Sequence, residues 1–398
     1  MSYETSKPMA AKRTLIWDKT GMVLFSSLLL VSLLMAASMA AWIAIQNDFR
    51  ITTNLRQGTA VFYLAEAGIE WAKQQINQAA IHPPRPADRV ESFSSGTFSV
   101  VVLSSTPVTP LTAKIVIRST GASGISSQTV QAQITKAYDL ADGAIGLRGV
   151  ETNVSFSGNS FFVSGFDSDP ISGALVAGAK PRSAISTSSA ALRTQIDAAL
   201  SALKSGNVVG GEDNTAVSQS DLIPSPIITQ LGDDLCRAPH AVTTAIPVGG
   251  TLSIAGETWG SRSAPQLHCI EGLSGPGDSM TVGGNFSGVG ILVVRNAELV
   301  VNGVFRWEGL IIVTGTGVGF RVVGEENKEV YGALMINETD SVAATTPTIL
   351  ALQGAIKIFY SRSALDRVVS LLPSQTLENV YASLPATITQ DYWRSVNP

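Results

Sequence analysis

The sequence predicts an α+β chain, mostly β. It comprises a long N-terminal α-helix, a small antiparallel sheet and a parallel β-solenoid-like head with a helical insertion. Three observations predict this. Met22 to Ile45 carries no charge and runs on into polar sequence with helical spacing. Between residues 90 and 137 the pattern alternates with period two. From Gly143 onward, glycine followed by an aliphatic run keeps returning. The implied organisation is a leader over 1–21 and a helix over 22–80, transmembrane at 22–45. A β-meander follows over 90–137, then the solenoid over 143–362 with helical sequence inserted at about 186–235. Residues 363–398 form a C-terminal cap.

The helix comes first. At ~1.5 Å per residue, Met22 to Ile45 matches a hydrocarbon core of roughly 30 Å. Ser26, Ser27, Ser32 and Ser38 are compatible with it, because hydroxyls bond back to the helix or to neighbouring helices. Lys7, Lys12, Arg13 and Lys19 outnumber Glu4 and Asp18 ahead of the run. That bias keeps this end cytoplasmic and places the bulk of the chain across the membrane. A cleaved secretory signal, with Ala36-Ala37-Ser38 or Ser38-Met39-Ala40 as its site, is the alternative. Against it stand the length of the run and its continuation. Leu55, Phe62, Ala65, Ile69, Ala72 and Ile76 share one helical face. No proline occurs between Met22 and Gln78, and Pro83-Pro84 supplies the stop. The interior glycines Gly58 and Gly68 each cost about 1 kcal/mol. A helix over the whole segment spans roughly 85 Å.

Two blocks in this region carry a family resemblance: Lys19-Thr20-Gly21 before Met22, and Ala65-Glu66-Ala67-Gly68-Ile69-Glu70. Over about sixty residues the chain resembles the N-terminal domain of PilX-type minor pilins of type IV pili. The resemblance implies cleavage after Gly21 by a prepilin peptidase, with Met22 as the methylated mature N-terminus. It also implies assembly through the helix, with Ser26, Leu55, Phe62, Ala65, Gly68 and Ile69 on the assembly element. Major pilins carry Glu at the fifth mature position, and here that position is Ser26. The departure argues for an accessory or tip subunit.

After residues 83–86, three strands follow at Phe98 to Leu103, Lys114 to Ser119 and Thr129 to Thr135. A meander here gives the polar half of the helix a surface on which to bury its apolar face. Gln74, Gln75, Asn77 and Gln78 then face water. Farther on, blocks begin at Gly290, Gly309, Gly332 and Gly354, spaced 19, 23 and 22 residues apart. Glycine-flanked strands at this period predict a parallel solenoid, with an antiparallel sandwich as the competing arrangement. Gly143-Ala144-Ile145 and Gly158 to Gly165 share the habit. Ser188 to Leu203 has helical spacing and stops at Ser205-Gly206; Ser218 to Leu235 is helical but interrupted by Pro224 and Pro226. The tail reads as a helix around Ser363 to Leu371, then irregular to Asp391-Tyr392-Trp393-Arg394, capping an open solenoid end.

Chemistry is sparse. A net charge of −4 with 15% charged residues offers nothing to nucleic acid. Cys236 and Cys269 either form one disulfide, worth about 3–4 kcal/mol, or remain buried thiols. No Cys-x-x-Cys spacing supports zinc. His82, His240 and His268 have no nucleophile or carboxylate signature nearby. Asp167 and Asp169 form a weak calcium candidate, read first as turn-capping carboxylates. Glu325 and Glu326 are the other acidic pair. Trp259, Phe305, Trp307 and Phe320 belong either to a carbohydrate-binding face or to the core. The expected function is a non-enzymatic minor pilin-like subunit without cofactor. Its partners would be other pilins, the prepilin peptidase and the inner membrane, with final display on a pilus. The alternatives are a tethered solenoid adhesin or carbohydrate-active enzyme, and a type II secretion pseudopilin.

Overall fold

The computed structural model describes residues 19–79, 81–109, 111–149, 154–157, 160–202, 206–211, 216–220, 222–273, 277–340, 349–373, 384 and 386–396. The leader up to Asp18, the pair Gly158-Asn159 and Leu203 to Ser205 lie outside these residues. Helix α1 (Lys19–Gln78) is one unbroken rod of 60 residues. Its last five turns cross a five-stranded antiparallel sheet in the order Arg89–Phe93, Gly96–Thr109, Thr112–Ser123, Ser126–Tyr138, Ala386–Val396. Alternation places Val100, Ile115, Ile117, Val130, Ala132 and Ile134 on the helix side, where they enclose Ala65, Ile69, Ala72 and Ile76.

The fifth strand corrects the reading of the tail. Ala386–Val396 pairs antiparallel with Ser126–Tyr138 and does not cap the solenoid. Its register shifts between Gln390 and Tyr392, which breaks the period-two pattern by which a strand is recognised. The solenoid therefore sits between the fourth and fifth strands of the sheet, entering after Tyr138 and leaving before Ala386.

The head is a parallel solenoid of two sheets, one of twelve strands and one of six. Parallel pairing throughout both rules out the antiparallel sandwich. Three of the four glycine blocks stack: Gly290, Gly309 and Gly332 oppose one another in register. Each marks a corner. Lys328–Glu338 pairs with Ile356–Tyr360 before Gly332 and with Gly143–Gly149 after it. Gly309 and Gly332 take φ of +132° and +138°, and a Cβ at either would overlap the carbonyl oxygen of the corner glycine one rung away. Only glycine satisfies both demands. Gly354 does not join this column, because Tyr360 stands opposite Gly332.

Rung order is not chain order. The first rung, from Gly143–Gly149 to Phe161–Ser164, lies between Ser183–Thr187 and Lys328–Glu338. After Val217–Gln219 the chain crosses the outside of the wide sheet as α3 (Ser225–Cys236). It restarts at the far end with Val242–Ile246 and winds back through Gln266–Gly272, Asn285–Arg295 and Val304–Gly315. Pro224 and Pro226 do not interrupt a helix here. Pro224 is the N-cap of α3 and Pro226 stands in its first turn, where a missing N–H costs nothing. Ile228, Leu231 and Leu235 bury against the wall, and Cys236 is disulfide-bonded to Cys269 of Gln266–Gly272. Helix α2 (Ala190–Ala202) starts where Ser189 Oγ accepts from Leu192 N. It covers the near end, packing on Val154–Phe156 and Val217–Gln219 with Leu192 and Ile196 buried. Helix α4 (Arg362–Val368) packs Leu365 and Val368 onto the corner side of the wide sheet.

Candidate assembly interface

The surface with the clearest functional demand is α1 itself. From Met22 to Arg56 every residue is exposed, and within that stretch lies a segment long and apolar enough to cross a membrane. Gly21 and Met22 lie in the first turns of this helix, continuous with Lys19 and Thr20. The hydroxyls in the apolar half are all used internally. Ser26 Oγ donates to Met22 O at 2.5 Å, and Ser27, Ser32 and Ser38 donate to Leu24, Leu29 and Leu34 carbonyls at 2.8 Å. Ser26 thus carries no charge and satisfies its own hydroxyl within the helix.

Packing against the sheet begins at Val61, nearly two turns beyond Leu55, which is 65% exposed. Leu55 therefore leaves the packed face that spacing assigns it, because the sheet does not reach that far along the helix. Phe62 is half-buried and meets Trp393 edge-on at 5.6 Å between centroids. Ala65 and Ile69 are buried. Gly68 has a definite role: a Cβ there would overlap Ser119 Oγ and come within 3.0 Å of Val100 and 3.1 Å of Phe98. Opposite, a Cβ on Gly121 would overlap the Val61 carbonyl. The two glycines let helix and sheet touch almost backbone to backbone.

The helix ends on a lysine that spacing alone does not single out. Lys136 is buried, and its ammonium donates to the carbonyls of Ile76, Asn77 and Ala79 at 2.8, 3.1 and 2.8 Å. It also lies 4.6 Å from the Tyr138 ring, whose hydroxyl donates to Ala79 O. A cation on the orphan carbonyls at the negative end of a helix is favourable. Burial pulls its pKa down to about 8. Two shallow grooves lie along earlier turns of α1. One of about 620 Å³ is lined by Ile51, Leu55, Phe62, Tyr63 and Gln128; the other, about 440 Å³, by Glu66, Ile69, Glu70, Gln390 and Trp393.

The remaining candidates resolve into structure. Asp169 Oδ1 accepts from Ile171 N, Ser172 N and Ser172 Oγ, and the Ser172 bonds hold its pKa low. Asp167 accepts from Arg362 N at 2.8 Å. Asp169 caps its own turn and Asp167 instead holds the first N–H of α4, and among the described residues no group of three or more His, Cys, Asp or Glu gathers as a metal site. Glu326 pairs with Lys328. Phe305, Trp307 and Phe320 are buried inside the coil, and Trp259 stacks on His268 at 3.9 Å. They do not form an open carbohydrate face. His82 and His240 each bond a backbone carbonyl, of Thr109 and Leu371. The acidic residues that do share one wall are Glu308 and Glu329. Glu308 is buried and ion-paired with Arg262, Arg306 and Arg367, and Arg306 also holds Glu329 at 2.7 Å. Their spacing in the sequence gives no hint of this, since parallel register alone brings Arg306 beside Glu329.

No family model matches the chain, and no curated protein matches it. Among solved structures it is similar to the competence-associated pilin ComZ from Thermus thermophilus, at 12% identity. That match covers 85% of this chain and 98% of the other, with a TM-score of 0.20, and at that score it bears no weight here. The arrangement described above is one long helix, bare over its first half and packed over its second on an antiparallel sheet.

Proposed function

We propose that the chain is a non-enzymatic, membrane-inserted subunit of a type IV pilus or related fibre, of the minor-pilin kind. The observation that supports this reading is the division of α1 into a bare apolar half and a half held by the sheet. Apolar surface in water costs roughly 25 cal/mol per Å², so the bare half requires a bilayer or other helices around it. Exchange between those two surroundings is nearly neutral, because lipid tails and apolar helix faces are alike as solvents. In this reading the leader is cytoplasmic, the solenoid lies across the inner membrane, and other pilins cover the helix once it leaves the bilayer. A self-satisfied Ser26 offers no ionic partner to a neighbour's N-terminal amine, which fits an accessory subunit. The test is co-expression with a prepilin peptidase, followed by N-terminal sequencing and intact mass. Expected is a chain beginning at methylated Met22, with a Gly21→Leu variant left uncut. Retention of residues 1–21 in the unaltered chain, or normal maturation of the variant, rules the reading out.

A further inference from the structure

The two ends of the solenoid are treated differently. The near end is covered by α2, with Leu192 and Ile196 buried beneath it. The far end is the rung Val242–Ile246, Thr251–Ala255 and Thr258–Trp259. Among the described residues each of these strands has a neighbour on one side only. Among the described residues no helix packs over it as α2 does at the other end. Val242, on the inward-facing side of its strand with Ile246, is 49% exposed, and Val248 in the following turn is 74% exposed.

Natural sheets guard a free edge with charges, prolines within the strand, bulges or a covering element. Among the described residues this edge shows none of these. From Ala241 to Gly260 the only charged residue is Glu257, and it accepts from Trp259 Nε1 at 2.7 Å. Pro247 lies outside the strand. An uncharged, regular, half-open rung is built to be covered.

We propose that this end is an interface between two copies of the chain, joined edge to edge across a two-fold axis through Thr244. The edge strand is Val-Thr-Thr-Ala-Ile, with a β-branched apolar residue two places to either side of Thr244. Antiparallel pairing with its own copy sets Val242 against Ile246, Thr243 against Ala245 and Thr244 against Thr244. Thr–Thr and β-branched pairs are favourable across strands, and no like charges meet. The contact is isologous and closes at two copies, leaving no edge to propagate. It involves neither α1 nor the cleavage site, so the maturation test and this one fail independently.

Position 244 also supplies the probe. Residues directly opposite in an antiparallel pair have Cα atoms about 4.5–5.5 Å apart, within the disulfide window of about 4.4–6.8 Å. A Thr244→Cys variant of the full chain in detergent micelles should therefore cross-link to itself under mild oxidation. It should do so far faster than Ile125→Cys, a fully exposed position in the turn between the third and fourth strands of the antiparallel sheet. Light scattering should count two wild-type chains per particle. Thr244→Lys, which sets two ammonium groups face to face, should weaken that association by at least about tenfold. One chain per particle for the wild type, a Thr244→Lys variant that stays paired, or cross-linking no faster than at Ile125 would each overturn the proposal.

Discussion

Gly68→Ala in the full-length protein tests the closest approach of helix and sheet. In an ordinary exposed helix this substitution gains about 1 kcal/mol from propensity. Here the added methyl would overlap Ser119 Oγ and crowd Val100 and Phe98. Overpacking of this kind costs about 1–3 kcal/mol. The balance is a loss of up to about 2 kcal/mol where propensity alone forecasts a gain. The Ser119 hydroxyl is fully buried and has no hydrogen-bond partner. Ser119→Ala therefore removes both the obstacle and an unsatisfied group whose burial costs about 1–3 kcal/mol. In that background Gly68→Ala should turn favourable, a coupling of about 1–3 kcal/mol between the two sites. Native-state hydrogen exchange over Gly96–Thr109 and Thr112–Ser123 reads this locally and does not require the whole molecule to unfold as one unit. If Gly68→Ala raises protection in the wild-type background, or costs the same with and without Ser119, the close-approach argument is wrong.

Two further predictions concern the corners and the helix end. Gly309→Ala should cost at least about 3 kcal/mol, since it combines a strained φ with overlap of the Gly290 carbonyl and contact with Val368 at 2.8 Å. Gly178→Ala, at φ +76° with nothing within 4 Å, should cost only about 1–2 kcal/mol; comparing their thermal midpoints checks the difference. Lys136→Met should release the last turn of α1, seen as faster exchange around Ile76 to Ala79. The pH dependence follows from the depressed pKa of Lys136, about 8 against an ordinary 10.5. Between those values the unfolded chain binds more protons, so stability rises with pH across the window and falls back as pH drops through 8. Denaturant midpoints from pH 7.5 to 10.5 should show that slope in the wild type and lack it in Lys136→Met.

The apolar half of α1 is legible because an uncharged run of that length stands out from the rest of the chain. The solenoid is legible because its corners require glycine, and glycine at a fixed period leaves a mark: Gly290, Gly309 and Gly332 are evenly enough spaced to be seen. Other features depend on a partner far away in the chain. Gly68 looks like a tolerated cost until Ser119 and Phe98 are placed against it. Lys136 looks like a surface residue in an alternating strand until the end of α1 lands on it. Glu308 is ringed by arginines from three separate segments, a closeness that only the fold creates. Leu55 fits the helical period as well as Ile69 does, but periodicity cannot say where the facing sheet stops.

The topology explains how so large a head can ride on so small a stalk. Tyr138 and Ala386 are paired neighbours on adjacent strands, so the chain leaves the sheet and returns to it at one point. To the sheet, the whole solenoid is a loop between two antiparallel strands, and lengthening such a loop adds only slowly to closure entropy. The junction is then fixed by charge. Asp139, the first residue after the fourth strand, is buried and ion-paired with Arg182 from the head and Arg362 of α4. Arg182 also donates to Thr387 Oγ1 in the returning strand at 3.1 Å. Burial raises the Asp139 pKa and the arginines oppose that shift, as expected of a carboxylate kept in a dry joint by its partners. The inverted winding makes the joint stronger. The first rung after Asp139 gains its second neighbour only when Lys328–Glu338 arrives, and Leu350–Leu352, Ile356–Tyr360, α4 and the fifth strand come after it. Head and stalk are therefore both completed by the last stretch of the chain.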